Sequence, residues 1–205
     1  MPEILQIEDN QQYDEMDFTG LDLEGRELKG CKFIHCCFRN TRMESIVTRR
    51  CSFSDCDFKA ARLNASLHEG SAFTNCQFTY ANFFSAQFTE CKMLGSTFAD
   101  SNLFGVEVNG GDWSYTNLRM CSLKGLNFRR VNLSNADLSM CDLENVNMRD
   151  SNLSHAILSQ AKMNGADLRD ANVDGVDFKS FSFKGVHLDM SQAIAVARCY
   201  GAIIE

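Results

Sequence analysis

The residues best suited to chemistry in this chain are its ten cysteines and four histidines. Thiolates and imidazoles bind metals and act as nucleophiles, and cysteines also form disulfides. The sequence contains no CxxC pair and no Cys/His cluster at zinc spacing. Eight cysteines lie instead at positions that differ by multiples of five: Cys31, Cys36, Cys51, Cys56, Cys76, Cys91, Cys121 and Cys141. We interpret these eight as small inward-facing side chains, with Cys37 and Cys199 outside the pattern.

The same spacing of five organises nearly the whole chain. Residues 131–180 divide into the units VNLSN, ADLSM, CDLEN, VNMRD, SNLSH, AILSQ, AKMNG, ADLRD, ANVDG and VDFKS. Each unit has a bulky apolar residue at its centre, and the frame of centres extends from Phe18 to Leu188 without an insertion. Only two of the 35 centres, Thr48 and His68, are not apolar.

A period of five excludes the ordinary secondary structures. On an α-helix each step of five turns the side chain by roughly 140°, so the centres would not form a stripe. On a continuous strand an odd step sends successive centres to opposite faces. The pattern therefore predicts a solenoid in which each unit forms one side of a coil and points its centre inward.

Two further features fit a coil with four sides of five residues. The polar centres Thr48 and His68 are twenty residues apart, so they would stack on one side of neighbouring coils. We expect His68 to be a neutral core histidine bonded to Thr48 or to backbone, with a functional site as the alternative. Eleven of the thirteen glycines occupy the second position after a centre, where a corner needs unusual dihedral angles.

The repeat divides the chain into three parts. Residues 1–16 carry five acidic residues and no basic one, which predicts an acidic N-terminal cap. Residues 17–190 form the repeat itself. Residues 191–205 predict a short capping helix with Ser191 as N-cap and Gly201 as its stop. The helix is too apolar to face water all round, so we expect it to form a dimer interface through Ile194, Val196, Ala197, Tyr200, Ile203 and Ile204.

The repeat weakens in one segment, between Leu103 and Trp113. The units FGVEV and NGGDW hold the frame but bring three glycines close together, which predicts a soft or bulged coil. Phe84, Leu94 and Phe104 each follow a centre and should point outward. The pair Phe84 and Phe104, twenty residues apart, is either a contact surface or local packing.

These residues resemble a known family, the pentapeptide repeat proteins, whose consensus A(D/N)LXX is close to ADLSM and ADLRD. The segments FSDCDF, LHEGSAFTNCQF, FTECKMLGSTF and DMSQAIAVARCYG are similar to the quinolone-resistance branch of Qnr and MfpA-type proteins. The resemblance implies an all-β, right-handed quadrilateral β-helix that dimerises through its C-termini. It further implies binding to DNA gyrase, through its A subunit, or to topoisomerase IV as a mimic of B-form DNA, and protection of the enzyme from fluoroquinolones or related poisons. The unbroken frame is most like the loop-free MfpA type, so no residues of the protruding loops of Qnr proteins can be transferred.

Charge gives this implied mimicry a partial test. About nine coils at roughly 4.8 Å make a rod of roughly 40 Å, and a dimer of twice that length compares with DNA bearing on the order of 45 charges. The chain carries −7, so a dimer carries only −14. We expect the partner to contact the C-terminal acids together with Phe84 and Phe104. These acids are Asp137, Asp142, Glu144, Asp150, Asp167, Asp170, Asp174 and Asp177.

Other functions are disfavoured. A rod filled by its own centres offers no cleft for catalysis, and the sequence has no P-loop, HExxH or nucleophile-elbow motif. The acidic balance argues against direct binding of nucleic acid, and we expect no cofactor, metal or membrane contact in a protein of the reducing cytoplasm. The alternatives to topoisomerase protection are a scaffold for another protein and a self-immunity factor against a gyrase-targeting peptide toxin.

Overall fold

The computed structural model describes residues 7–204, and it shows a β-solenoid followed by one short helix. The nine strands are β1 (Gln12–Asp14), β2 (Glu27–Lys29), β3 (Lys32–Ile34), β4 (Val47–Arg49), β5 (Ser52–Ser54), β6 (Leu67–Glu69), β7 (Ala72–Thr74), β8 (Gln87–Thr89) and β9 (Glu107–Asn109). The helix α1 spans Met190–Cys199. All strand pairs are parallel and join residues twenty apart, as Phe33 pairs with Phe53. The structure confirms the right-handed quadrilateral β-helix with a C-terminal helix.

The coil has four walls, which we label A to D in chain order. Centres of wall A include Phe33, Phe53, Phe73 and Trp113; of wall B, Phe18, Phe38, Phe58, Phe78 and Phe98; of wall C, Leu63, Phe83, Leu103 and Leu123; and of wall D, Thr48, His68, Phe88, Val108 and Phe128. Wall A carries the sheet β1-β3-β5-β7, and wall D carries the sheet β2-β4-β6-β8-β9. The longest sheet stacks five strands, so regular sheet covers about five turns and not the nine or so coils expected. Beyond it, the pairing between coils continues only as isolated bridges, as far as Asp167 with His187.

The core is a set of side-chain columns inside the tube. In the first coils the phenylalanines of walls A and B stack face to face, with centroids 4.8 Å apart between Phe38 and Phe58 and 4.7 Å between Phe53 and Phe73. Adjacent columns meet edge to face, as Phe53 does with Phe58. Each stack adds about 0.5–1.5 kcal/mol beyond the apolar area it buries. After Trp113 the centres become mainly leucine and stay buried.

The corners of the coil share one backbone conformation. Every fifth residue from Asn10 to Gly175 has a positive φ, and most of these residues are not glycine. At many corners the amide three residues after a centre donates to the carbonyl of that centre, as Leu21 does to Phe18 at 3.1 Å. A positive φ at the third residue of such a turn defines the type II geometry. A non-glycine residue there costs about 1–2 kcal/mol, which the hydrogen bonds between coils offset.

Helix α1 covers the C-terminal end of the tube. Its N-cap is Asp189, not the predicted Ser191, because the Asp189 side chain accepts the Gln192 amide at 3.0 Å while the Gln192 side chain bonds back to the Asp189 amide. The amide group of Gln192 is buried and donates to the carbonyls of Leu168 and Ala171, at 2.6 and 2.9 Å. These carbonyls belong to the last regular coil, so the Gln192 side chain fixes the helix against the end of the tube.

The predicted N-terminal cap lies partly outside the described residues, which begin at Ile7. Within the range assigned to it, Gln12 to Asp14 already form strand β1 and pair with β3. Ile7 is buried, and Tyr13 stacks on Phe33 with centroids 5.1 Å apart.

Candidate partner-binding surfaces

The buried cysteines and His68 are structural. Burial raises the pKa of the Cys51, Cys121 and Cys141 thiols to about 12, so they remain protonated. The thiols donate to backbone carbonyls of the previous coil, as Cys121 does to Phe98 at 3.4 Å. All ten cysteines are free. No group of histidine, cysteine and acidic residues within the described range 7–204 is arranged to hold a metal ion.

The two polar centres form a closed hydrogen-bond network. Thr48 Oγ1 lies 2.7 Å from His68 Nδ1, and His68 Nε2 lies 2.9 Å from Ser66 Oγ. Thr48 also donates to Ser71, whose hydroxyl accepts the Cys51 amide. Burial lowers the pKa of His68 to about 3, so the imidazole is neutral, as expected from the sequence. The network has no route to solvent, since all of these side chains are buried.

The eight predicted acids do not lie on one wall. Three lie on wall D (Asp150, Asp167 and Asp170), two on wall C (Asp142 and Glu144), two on wall B (Asp137 and Asp177) and one on wall A (Asp174).

Half of these acids are engaged by basic side chains. Arg129, Arg149 and Arg169 form a column on wall D and pair with its three acids at 2.7–2.8 Å. The Lys124 ammonium lies 2.7 Å from Glu144 and lowers the pKa of that carboxyl. Wall D is therefore close to neutral in this region. Exposed ion pairs of this kind contribute little to stability, with a median of about 0–1 kcal/mol.

Four of the eight acids form no ion pair among the described residues; Asp142 lies on wall C, and the other three give a smaller candidate surface. Asp137, Asp174 and Asp177 belong to the adjacent walls A and B, and none of them forms an ion pair within the described residues. Asp137 accepts the amide and hydroxyl of Ser139, and Asp177 accepts the amide of Lys179. We call these three residues the AB acids.

Phe84 and Phe104 stack on the outside of wall C. Their rings are 6.0 Å apart and tilted by only 11°, and the side chains are 45% and 73% exposed. Leu94, on wall A, is also exposed. The rings do not fill the core, so they are available to a partner.

The residues predicted for the dimer interface divide into two groups. Ile194, Val196 and Ala197 are half-buried, and Val196 packs against the core of its own chain. Tyr200, Ile203 and Ile204 are exposed, with Ile203 at 90%. The exposed apolar surface of this segment is thus concentrated after the end of the helix. No helix among the described residues is long and apolar enough to cross a membrane.

The repeat and the four-walled coil define this chain as a pentapeptide repeat protein. The model of the pentapeptide repeat region matches residues 81–156, and the model of eight pentapeptide repeats matches residues 147–185, so together they span just over half of the chain. The chain belongs to this family. No curated protein matched it in a sequence comparison.

Two solved structures share the fold over nearly their full length. One is a trypsin-treated, singly substituted form of QnrB1, a plasmid-mediated fluoroquinolone resistance protein, with a TM-score of 0.64 and 18% identity, covering 96% of this chain and 99% of that one. The other is full-length QnrB1, with a TM-score of 0.62 and 16% identity, covering 93% and 100%. At this identity the likeness is one of fold.

Proposed function

We propose that this chain binds a type II DNA topoisomerase, either the A subunit of DNA gyrase or topoisomerase IV, and protects it from fluoroquinolones or related poisons. The observation that carries the proposal is the likeness in fold to QnrB1, which extends over 96% of this chain and 99% of that one. A rod with the same fold offers a partner the same kind of extended surface. The sequence segments similar to Qnr and MfpA-type proteins support the same conclusion.

The charge distribution favours walls A and B as the DNA-like surface. A mimic of DNA must present carboxylates that remain free to meet basic side chains of the enzyme, and the AB acids are free in this sense among the described residues. The acids of wall D are matched by arginines, which would repel a basic DNA-binding surface. We therefore propose that walls A and B face the enzyme and that wall D faces away.

A dimer would double the length of the rod that the enzyme meets. We propose that two copies meet through Tyr200, Ile203 and Ile204, which would set the two rods end to end and bring both sets of AB acids near the centre. The rod would then occupy the DNA-binding site and lower the amount of enzyme–DNA complex that a poison can trap.

The test is a competition measurement with purified gyrase A subunit, followed by DNA cleavage by intact gyrase in a fluoroquinolone titration. We expect the chain to displace duplex DNA and to raise the drug concentration that gives half-maximal cleavage. Binding without protection would favour the self-immunity alternative. A chain that binds neither gyrase nor topoisomerase IV would refute the proposal and leave the protein scaffold.

A further inference from the structure

The coils of this protein are joined by a regular set of backbone hydrogen bonds. At each level a wall normally makes three such bonds to the next coil. On wall A these are Trp113 to Asn132 at 2.7 Å, Tyr115 to Ser134 at 3.0 Å, and Asn132 to Gly111 at 3.1 Å, donor first. Wall B makes the equivalent bonds at the same level, as Leu118 does to Asp137 at 2.9 Å.

This pattern is interrupted on walls C and D between residues 101–110 and residues 121–130. Within the described part of the chain, the amides of Leu103, Gly105, Val108 and Gly110 have no backbone acceptor in the next coil. The bridge Asn82–Asn102 is present one level before, and Ser122–Asp142 one level after, but Asn102 and Ser122 are not paired. Walls C and D are therefore open between these two coils, whereas walls A and B stay paired between them, as Met93 is to Asp112 at 2.7 Å and Phe98 to Asn117 at 2.9 Å.

The single tryptophan lies in the coil where the walls separate. Trp113 is buried, and its ring reaches from wall A to the side chains of wall D, with centroids 5.5 Å from Phe88 and 5.9 Å from Phe128. It stacks on Phe98 of wall B at 5.5 Å, whereas the equivalent pair Phe38 and Phe53 meets edge to face at 5.8 Å. Walls A and B stay paired around this ring, and the opening lies on walls C and D, toward which the indole extends.

The opening is a cleft with two lips, formed by residues 103–109 and residues 122–127. Two adjoining cavities of about 420 and 440 Å³ lie between the lips and share Gly105, Gly125 and Leu126. Phe104 stands at the mouth, 73% exposed, and Leu126 and Val106 form an apolar floor. Glycine at both lips leaves the backbone uncovered by side chains.

We propose that this cleft binds an extended segment of a partner protein by β-strand addition. Both lips present unpaired backbone groups, amides on one side and the carbonyls of Ser122, Lys124 and Asn127 on the other. Such groups need partners, and an extended peptide supplies donors and acceptors at matching intervals. An apolar side chain of that peptide packs between Phe104 and Leu126. This inference does not depend on the identity of the topoisomerase.

The first experiment measures amide hydrogen exchange by NMR on the full chain. Leu103, Gly105, Val108 and Gly110 should exchange much faster than the equivalent wall A and B amides of Trp113, Tyr115 and Leu118. Equal protection of both groups would show that the cleft is closed and would overturn the proposal.

The second experiment uses a phage library of nine-residue peptides, selected on the full chain and counter-selected on Trp113→Leu, in which the smaller side chain should let the walls close. We expect selected peptides to slow exchange of the four cleft amides. N-methylation of either alternate set of peptide residues should weaken binding about tenfold or more, because a strand between two lips directs successive amides to opposite lips.

Surface variants keep the test independent of core packing. Phe104→Ser should weaken binding of the selected peptide about tenfold. Tyr115→Ser changes another exposed aromatic, 61% against 73% for Phe104, that does not line the cleft, and it should leave the affinity of the peptide unchanged. Selection that yields no peptide discriminating against Trp113→Leu would mean that the cleft holds only water. That result, or binding insensitive to N-methylation, would overturn the proposal.

Discussion

At the scale of single residues, the centre of each unit decides what the lumen contains. Thr48 and His68 show that a polar residue is accepted there only with a full set of partners. His68 stacks on Phe88 with centroids 4.9 Å apart, while its two nitrogens bond to Thr48 and Ser66. An unpartnered polar group at this depth would cost about 1–3 kcal/mol.

His68 makes the stability depend on pH. The folded state keeps His68 neutral down to a pH of about 3, but the unfolded chain binds a proton below the ordinary pKa of 6.5. The free energy of unfolding should therefore fall as the pH drops from about 6.5 toward 3, by about 1.4 kcal/mol per pH unit for this proton.

Urea unfolding at several pH values measures this slope. His68→Phe serves as the comparison, because the carboxylates titrate alike in both proteins and only the histidine proton is lost. The idea fails if the difference in stability between the two proteins does not change with pH.

The corner residues carry backbone strain that glycine would relieve. Ala60 has φ +57°, and its amide donates to Thr79 at 3.0 Å, a bond that any residue can make. Ala60→Gly should stabilise the protein by about 1 kcal/mol. The neighbouring Ala61 is fully buried and does not have a positive φ, so Ala61→Gly should destabilise it by about 1 kcal/mol. Thermal unfolding of the two variants compares them directly, and equal effects would contradict the strain.

At the scale of elements, helix α1 seals the tube and exposes the residues proposed for the dimer. The coils just before the helix are distorted, because Phe181 takes a position that small residues hold in many other units. It packs with Phe178 and Phe183 in a tilted cluster, and the Gln160 amide bonds to Ser180 in place of the expected Lys179. The helix compensates by bonding the last regular carbonyls through Gln192.

The proposed dimer can be broken without removing the helix. Tyr200→Lys with Ile203→Lys places charges on the exposed apolar end, where burial of unpaired charge is costly. We expect the double variant to be a monomer by light scattering and to retain the helix signal in circular dichroism. Met190→Lys, at the other end of the helix and 78% exposed, is the control and should leave the mass unchanged. A dimer that persists in the double variant would place the interface elsewhere.

At the scale of the whole molecule, the net charge of the rod is small, and its acidic residues are paired with basic ones on some walls more than on others. The chain has 27 acidic and 20 basic residues, which gives the net charge of −7. Many of the acidic residues form ion pairs with basic ones. Electrostatic steering toward a basic partner therefore depends on a few free acids and not on total charge.

Reversal of the AB acids tests whether the C-terminal part of walls A and B meets the topoisomerase. Asp137→Lys, Asp174→Lys and Asp177→Lys together should raise the concentration needed to inhibit supercoiling about tenfold or more. The triple variant Asp14→Lys, Glu15→Lys and Asp55→Lys makes the same charge change on the N-terminal part of wall A. It should shift inhibition by less than about threefold. Equal effects of the two variants would mean that net charge, not position, governs binding.

The sequence by itself determined the fold, because a five-residue period with buried centres has few other solutions. It also determined the cysteine column, the Thr48–His68 pair and the outward stack of Phe84 on Phe104, since each follows from position within the repeat. The N-cap at Asp189 was missed, because Ser191 is an equally good capping residue and only the geometry of the last coil distinguishes them.

Only the tertiary structure decided which acids on the surface stay free. The eight acids lie on four walls, as their positions in a twenty-residue turn require, and half of them are paired, because ion pairs form between coils. The weak units before Trp113 predict a soft or bulged coil near the opening of walls C and D. They do not predict the opening itself, because the repeat frame continues through this segment unchanged. Whether one large ring separates the coils depends on packing across the lumen, which no local pattern encodes.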